Sequence, residues 1–232
     1  MTIITMQAKY AVDAQPFVVC DAGETRFYLR GFLVEANPSG GIRIVATDGH
    51  ALACFHDDLG TIAGGSAIIA VGKDILAAIK SAERGYKTLT PWLVIDTDHR
   101  TIQVCVCGAV GFGDHKVIAT LQDNGFVIDG TFPDYRRVVP ECTPGKKLDA
   151  AITFARDNLD RFGALLPKGS KSTSLQGITL YQSDDACAPF LVFAIGRTDF
   201  VGVIMPVRGL ETDKCSLPEW YTAIEPAEAV AE

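Results

Sequence analysis

The chain has 232 residues, 48% of them apolar, and a formal net charge of −7. That length holds one large domain or two ordinary ones, and the acidic balance excludes indiscriminate coating of nucleic acid, whose phosphates attract basic surfaces. The longest apolar stretches, such as Ile68-Ile69-Ala70-Val71 and Phe190 to Ile195, are strand-sized and too short to cross a bilayer, and no basic patch followed by a long apolar run opens the chain, so a cytoplasmic protein is expected.

In chain order, Met1 to Thr5 reads as a short strand and Gln7 to about Phe17 as a helix whose end is disturbed by Pro16. Arg26 to Glu35 reads as a strand, Asn37-Pro38-Ser39-Gly40-Gly41 as a turn, and Ile42 to Thr47 as the returning strand. Leu52 to Phe55 continues the meander after the Asp48-Gly49 turn. A loop around Gly60, Gly64 and Gly65 precedes a strand from Ala67 to Ala70. A helix is then predicted from Lys73 to Arg84, with Ile75, Leu76, Ile79 and Ala82 as its apolar stripe. Trp92 to Thr97, Thr101 to Val110 and His115 to Leu121 supply three further strands. Up to this point the chain makes two successive strand-helix-strand-strand-strand halves.

Glu141 to Lys147, polar and containing Pro144-Gly145, reads as a boundary. Leu148 to Leu165 fits a strand start followed by an amphipathic helix, and Leu175 to Gln182, Phe190 to Ile195 and Phe200 to Met205 fit strands. Gly209 to Glu232 forms an acidic tail that carries Leu217, Trp220, Tyr221 and Ile224. Ser216 can cap a short helix beginning near Pro218, and Pro226 limits its continuation.

Seven cysteines, an odd number, fit no disulfide framework, and the one close pair, Cys105-Val106-Cys107, points to one side of a strand as packing residues. No second pair or histidine at ligand spacing accompanies it, so neither a metal nor a cofactor is expected. Lys73, Lys80 and Arg84, with Lys87 nearby, form a local basic face on the predicted helix, which suits a solvated surface or a phosphate-facing one. Asp48 and His50 sit close enough for acid-base or metal chemistry, and an enzyme is the competing class. However, no nucleophile elbow, HExxH or phosphate-cradling glycine motif accompanies them.

Three segments carry a more specific signal: Ala46-Thr47-Asp48-Gly49-His50-Ala51-Leu52-Ala53, Phe132-Pro133-Asp134-Tyr135-Arg136-Arg137-Val138-Val139-Pro140, and Met205-Pro206-Val207-Arg208. In this order they resemble segments of the bacterial DNA polymerase III beta subunit, the sliding clamp. The resemblance implies an α+β fold of DNA-clamp (processivity) domains. Residues 1–140 resemble the family's middle domain, 146–209 a shortened C-terminal domain, and 210–232 is the acidic tail; the family's first domain has no counterpart. It further implies a non-catalytic processivity or docking factor in DNA replication or repair. Its partners would be replication or repair proteins carrying clamp-binding motifs, double-stranded DNA and further copies of the chain, with no membrane. A regulatory or decoy clamp that does not encircle DNA is the alternative.

In that family a pocket between the middle and last domains receives short hydrophobic motifs of partner proteins. Carried onto this chain, its wall is Arg26, Leu29, Thr47, Gly49, His50 and Leu52, then Pro133, Arg137 and Val138, then Val203, Ile204, Met205, Pro206, Val207 and Arg208. Leu29, Leu52, Val138, Val203, Ile204 and Met205 would take a partner's apolar side chain out of water, and the arginines would receive carboxylates or peptide carbonyls at the rim. Ala51 departs from the family, whose motif places arginine there. The DNA-facing candidates implied by the resemblance are Lys73, Lys80, Arg84, Arg156 and Arg161.

Overall fold

The structure, a computed structural model, describes residues 2–20, 25–108, 112–122, 125–140, 152–166, 177–182 and 188–207. The first half comprises β1 (Ile3–Gln7), α1 (Ala8–Ala14), β2 (Phe32–Ala36), β3 (Ile42–Thr47), β4 (Ala51–Asp57) and a short β5 (Thr61–Ala63). The second comprises β6 (Ala67–Ile69), α2 (Lys73–Gly85), β7 (Thr90–Asp96), β8 (Thr101–Cys107) and β9 (His115–Gln122), followed by β10 (Val127–Ile128). Beyond residue 151 lie α3 (Arg156–Gly163), β11 (Ile178–Tyr181), β12 (Phe190–Ala194) and β13 (Phe200–Ile204).

Two antiparallel sheets result, one of five strands in the order β5-β1-β7-β8-β9 and one of eight in the order β10-β6-β2-β3-β4-β13-β12-β11. Each half donates its first strand to the other half's sheet: β1 pairs with β7, and β6 pairs with β2. The halves are therefore interlocked. The meander β11-β12-β13 extends the larger sheet by pairing β13 with β4, Val203 opposite Leu52 and Ile204 opposite Ala51.

Period-two alternation sorts the larger sheet's side chains into two layers. Ala51, Ala53 and Phe55 of β4 and Phe200 and Ile204 of β13 face the main core, where the alanines of α1 let that helix lie close and Phe17 meets Phe162 of α3 at 5.1 Å. Leu52 and Val203 face the other way, into a second cluster with Leu33, Val45, Ile68, Tyr135 and Leu191. That outer face is covered by a strap of residues 129–139, which packs Phe132, Tyr135 and Val139 onto it. A Glu35 carboxylate oxygen fastens it by accepting from Tyr135 Oη and Arg136 Nη2, both at 2.6 Å, and from Arg43 Nη1 at 3.3 Å.

The segment beyond residue 151 is fastened to the first half by more than the sheet. Arg197, in the turn between β12 and β13, donates to Asp13 of α1 at 3.0 Å and forks onto both carboxylate oxygens of Asp199 at 2.7 and 3.2 Å. The expected boundary at 141–147 and the tail at 210–232 lie outside the described residues, and the units on either side of the boundary share one core.

Two expectations need correction. Arg26 to Glu35 is not one strand: Phe27–Arg30 is a 3-10 turn, and β2 starts only at Phe32. Gly31 follows the turn in extended backbone, and a Cβ there would stand 2.7 Å from the Ile69 carbonyl oxygen, so the close approach of β2's start to β6 requires glycine. The stretch read as a loop around Gly60 contains β5, which borrows its pairing from β1 and has only Ile62 as a sequence signal. The helix at 73–84 and the strands at 42–47, 67–70 and 190–195 fall where periodicity places them.

Candidate functional site

The Asp48-Gly49-His50 turn between β3 and β4 is held first by its own groups. Asp48 Oδ1 accepts from the backbone N–H of His50 at 2.9 Å and of Ala51 at 3.0 Å, while Thr47 Oγ1 donates to the Ala51 carbonyl at 2.8 Å and accepts from Gly49 N–H at 3.1 Å. Gly49 has φ +93°, a left-handed conformation, and a Cβ there would stand 2.7 Å from Arg26 Nη1, so the guanidinium lies directly against the turn. The far segment of the chain completes the anchoring. Arg161 of α3 ion-pairs with Asp48 Oδ2 at 2.5 Å, and Met205 N–H donates to the His50 carbonyl at 3.0 Å.

Burial raises the Asp48 pKa, but the backbone donors of Ala51 and His50 together with Arg161 outweigh it and hold the carboxyl below its ordinary 3.8. Its oxygens anchor the turn, and the His50 side chain is exposed. The constellation is an anchored turn, and this removes the specific basis for acid-base chemistry at Asp48. Among the described residues no group of three or more His, Cys, Asp or Glu side chains is placed to hold a metal. Cys105 and Cys107 are buried beside Trp92.

Beside this turn opens a largely apolar cavity of about 250 Å³. Of the residues named from sequence, Arg26, Leu29, Thr47, Gly49, His50, Leu52, Pro133, Val138, Val203 and Met205 line it. Three chain regions far apart in sequence meet there: the 3-10 turn with the β3–β4 turn, the strap, and the end of β13.

Four described residues of the named set do not line it. Ile204 is the strand neighbour of Val203 and so points into the main core, fully buried. Arg137 is exposed on the strap's 3-10 turn. Pro206 and Val207 lead away, with Val207 N–H donating to the Thr153 carbonyl at 2.8 Å. Arg208 lies outside the described residues.

Sequence reasoning missed Tyr28, Ala51, Asp134 and Tyr135, which also line the cavity. Tyr28 and Leu29 both reach it because a 3-10 turn, unlike a strand, can turn neighbours to one side. Tyr135 was signalled only by lying inside the Phe132 to Pro140 segment. Burial and the Glu35 carboxylate push its hydroxyl up to about 12, so the phenol stays protonated as a donor.

Of the DNA-facing candidates, Lys73, Lys80 and Arg84 are exposed on α2 and Arg156 on α3. Arg156 pairs weakly with Asp160 one turn on, at 3.2 Å with both side chains largely in solvent. Arg161 has a different place: its side chain is 24% exposed and bound to Asp48. Among the described residues no helix is long and apolar enough to cross a membrane.

Interlocked strand-helix-strand-strand-strand halves, with a sheet running on into a following unit, define a DNA-clamp type of α+β fold. In sequence the chain is 27% identical to the beta sliding clamp of Escherichia coli (strain K12) over 180 residues, 76% of this chain and 42% of that protein. It is 31% identical to the beta sliding clamp of Vibrio cholerae over 142 residues, 61% of this chain and 34% of that protein. Among solved structures the DNA polymerase III subunit beta of Pseudomonas aeruginosa superposes with a TM-score of 0.51 at 20% identity, covering 90% of this chain and 67% of that one. No protein-family model matches. The chain is thus homologous to the bacterial DNA polymerase III beta sliding clamps over part of their length, and spans less than half of the relatives it matches in sequence.

Proposed function

We propose that this protein is a sliding-clamp homologue in DNA replication or repair whose retained activity is docking, with the cavity beside the Asp48 turn receiving short hydrophobic motifs of replication or repair proteins. The observation that carries this reading is the cavity itself, with an apolar floor of Leu29, Leu52 and Val203, an adjustable Met205 and a half-exposed Arg26 at its edge. Each partner side chain fully buried there contributes about 1.5 to 3 kcal/mol before association costs.

The chain organisation that goes with it is a complete clamp-like unit at 1–140, a shortened one at 146–209 and an acidic tail. The test is fluorescence anisotropy with a labelled peptide carrying a Leu-Phe clamp-binding motif. Saturable binding, weakened by Met205→Ala and by Val138→Asp, is expected. Val138 is 45% exposed, so its substitution leaves the fold intact. Absence of binding by the full chain and by a form lacking the tail would sink the docking reading.

DNA tethering is the second part of the proposal, supported by the exposed Lys73, Lys80, Arg84 and Arg156. Contacts of this kind are to phosphate, so binding should be indifferent to base sequence and should weaken with salt. Retention on nicked circular DNA that is lost on linearisation would mark encirclement by an assembly of several copies. Equal retention on both forms would leave the non-encircling, regulatory clamp.

A further inference from the structure

We infer that the cavity's resident ligand is the chain's own acidic tail, with Leu217 and Trp220 as the side chains that enter it. The inference rests on the docking reading above and adds regulation to it. The site is open to a segment of this kind: about 250 Å³, the volume of roughly eight liquid waters, takes one or two apolar side chains and no folded partner.

Attachment comes first. Met205 lines the cavity, and Val207, the last described residue, stands only two positions further along the chain, so the tail is tethered close to the cavity wall. The nine residues between Val207 and Leu217 span at most roughly 30 Å when extended. A segment tethered that closely is presented at an effective concentration on the order of millimolar, enough for a weak apolar contact to fill the site.

Charge comes second. Glu211, Asp213, Glu219, Glu225, Glu228 and Glu232 stand against the single Lys214 within 209–232, so this stretch carries −5 of the chain's −7. At the cavity, Arg26 lines the wall and Arg137 is exposed on the adjoining strap, while the Asp48 charge is matched by Arg161. Asp134 is the one carboxylate among the lining residues and sets a limit on how acidic the entering segment can be at that edge. Leu217-Pro218-Glu219-Trp220-Tyr221 combines two large apolar groups with one carboxylate, the composition such a site selects.

The experiment compares the full chain, a Leu217→Ser/Trp220→Ser variant of full length and a form ending at Gly209, each checked for folding by circular dichroism and melting. The probe is a fluorescein-labelled, tryptophan-free peptide with a Leu-Phe pair. Both altered forms should bind it about three- to tenfold more tightly than the full chain, the factor by which a tail occupying most molecules lowers apparent affinity.

A second readout needs no variant. The chain has two tryptophans, and Trp92 is only 1% exposed, so saturating unlabelled peptide should shift only Trp220 emission to the red. Equal affinities in folded forms, or bound peptide with no emission change, would overturn the tail's occupancy and leave docking standing. No binding by any form would overturn docking, and the tail's occupancy with it.

Discussion

At the scale of single residues, Asp48 shows how much one carboxylate can hold. It accepts from two backbone N–H groups and from Arg161, and so ties the β3–β4 turn to α3. Asp48→Asn leaves Arg161 facing an amide, and a loss of about 2 kcal/mol in urea unfolding at pH 7 is expected. The pH dependence has a definite sign. Because the folded carboxyl titrates below its ordinary 3.8, its stabilisation is complete above that pH and is lost as pH falls through the lowered folded value. The deficit of Asp48→Asn relative to the parent chain should therefore stay constant from pH 7 to about 5 and shrink below 3.8. Gly202 makes a steric counterpart: a Cβ there would stand 2.5 Å from the Phe162 ring and 2.8 Å from Phe200. Gly202→Ala should cost about 1 to 3 kcal/mol by pushing α3 off β13, measurable as a lowered unfolding midpoint with an unchanged slope.

Among the elements, the β12–β13 hairpin and the strap carry cavity residues on structures that are themselves latched. Arg197 is 21% exposed and balances Asp13 and Asp199, so Arg197→Ala leaves half-buried Asp13 without its ion-pair partner and Asp199 with only the longer contact to Lys9 at 3.6 Å. A loss of about 3 kcal/mol is expected. Peptide affinity should fall as well, because the hairpin delivers Val203 and Met205. Lysine at 197 recovers only part of both, since it lacks the fork that reaches both carboxylates. On the strap, Tyr135→Phe keeps the ring in the wall and removes the hydroxyl between Arg43 and Glu35, for a cost of about 1 kcal/mol. Elements with a full local signal were legible from sequence, such as α2 with its stripe and β12 with its continuous apolar run. The 3-10 turn at Phe27–Arg30 was not, because Phe27-Tyr28-Leu29 is a consecutive apolar run that also satisfies a strand and leads on into the apolar run of β2.

For the whole molecule, the continuous sheet makes the later segment dependent on the earlier one. Strand β13 has β4 as a partner, and Phe162 and Phe200 pack against Phe17 and Phe55. Residues 141–232 produced alone should be largely unfolded by circular dichroism, and should regain structure when mixed with residues 1–140. A folded isolated segment would show that it has a core of its own. The amino-acid sequence by itself determined most of the order of strands and helices and the two successive halves, because hydrophobic period and turn chemistry are local properties of the chain, and its short motifs, through their resemblance to the clamp family, pointed to most residues of the cavity. Only the tertiary structure decided that the halves exchange their first strands, that Ile204 faces the core while Val203 faces the cavity, that Tyr28 and Tyr135 join the wall, and that Arg161 is bound to Asp48. Those choices depend on register between distant strands and on which charges meet across the fold. A one-residue shift in pairing reverses every side chain on a strand, and no local pattern records the partner.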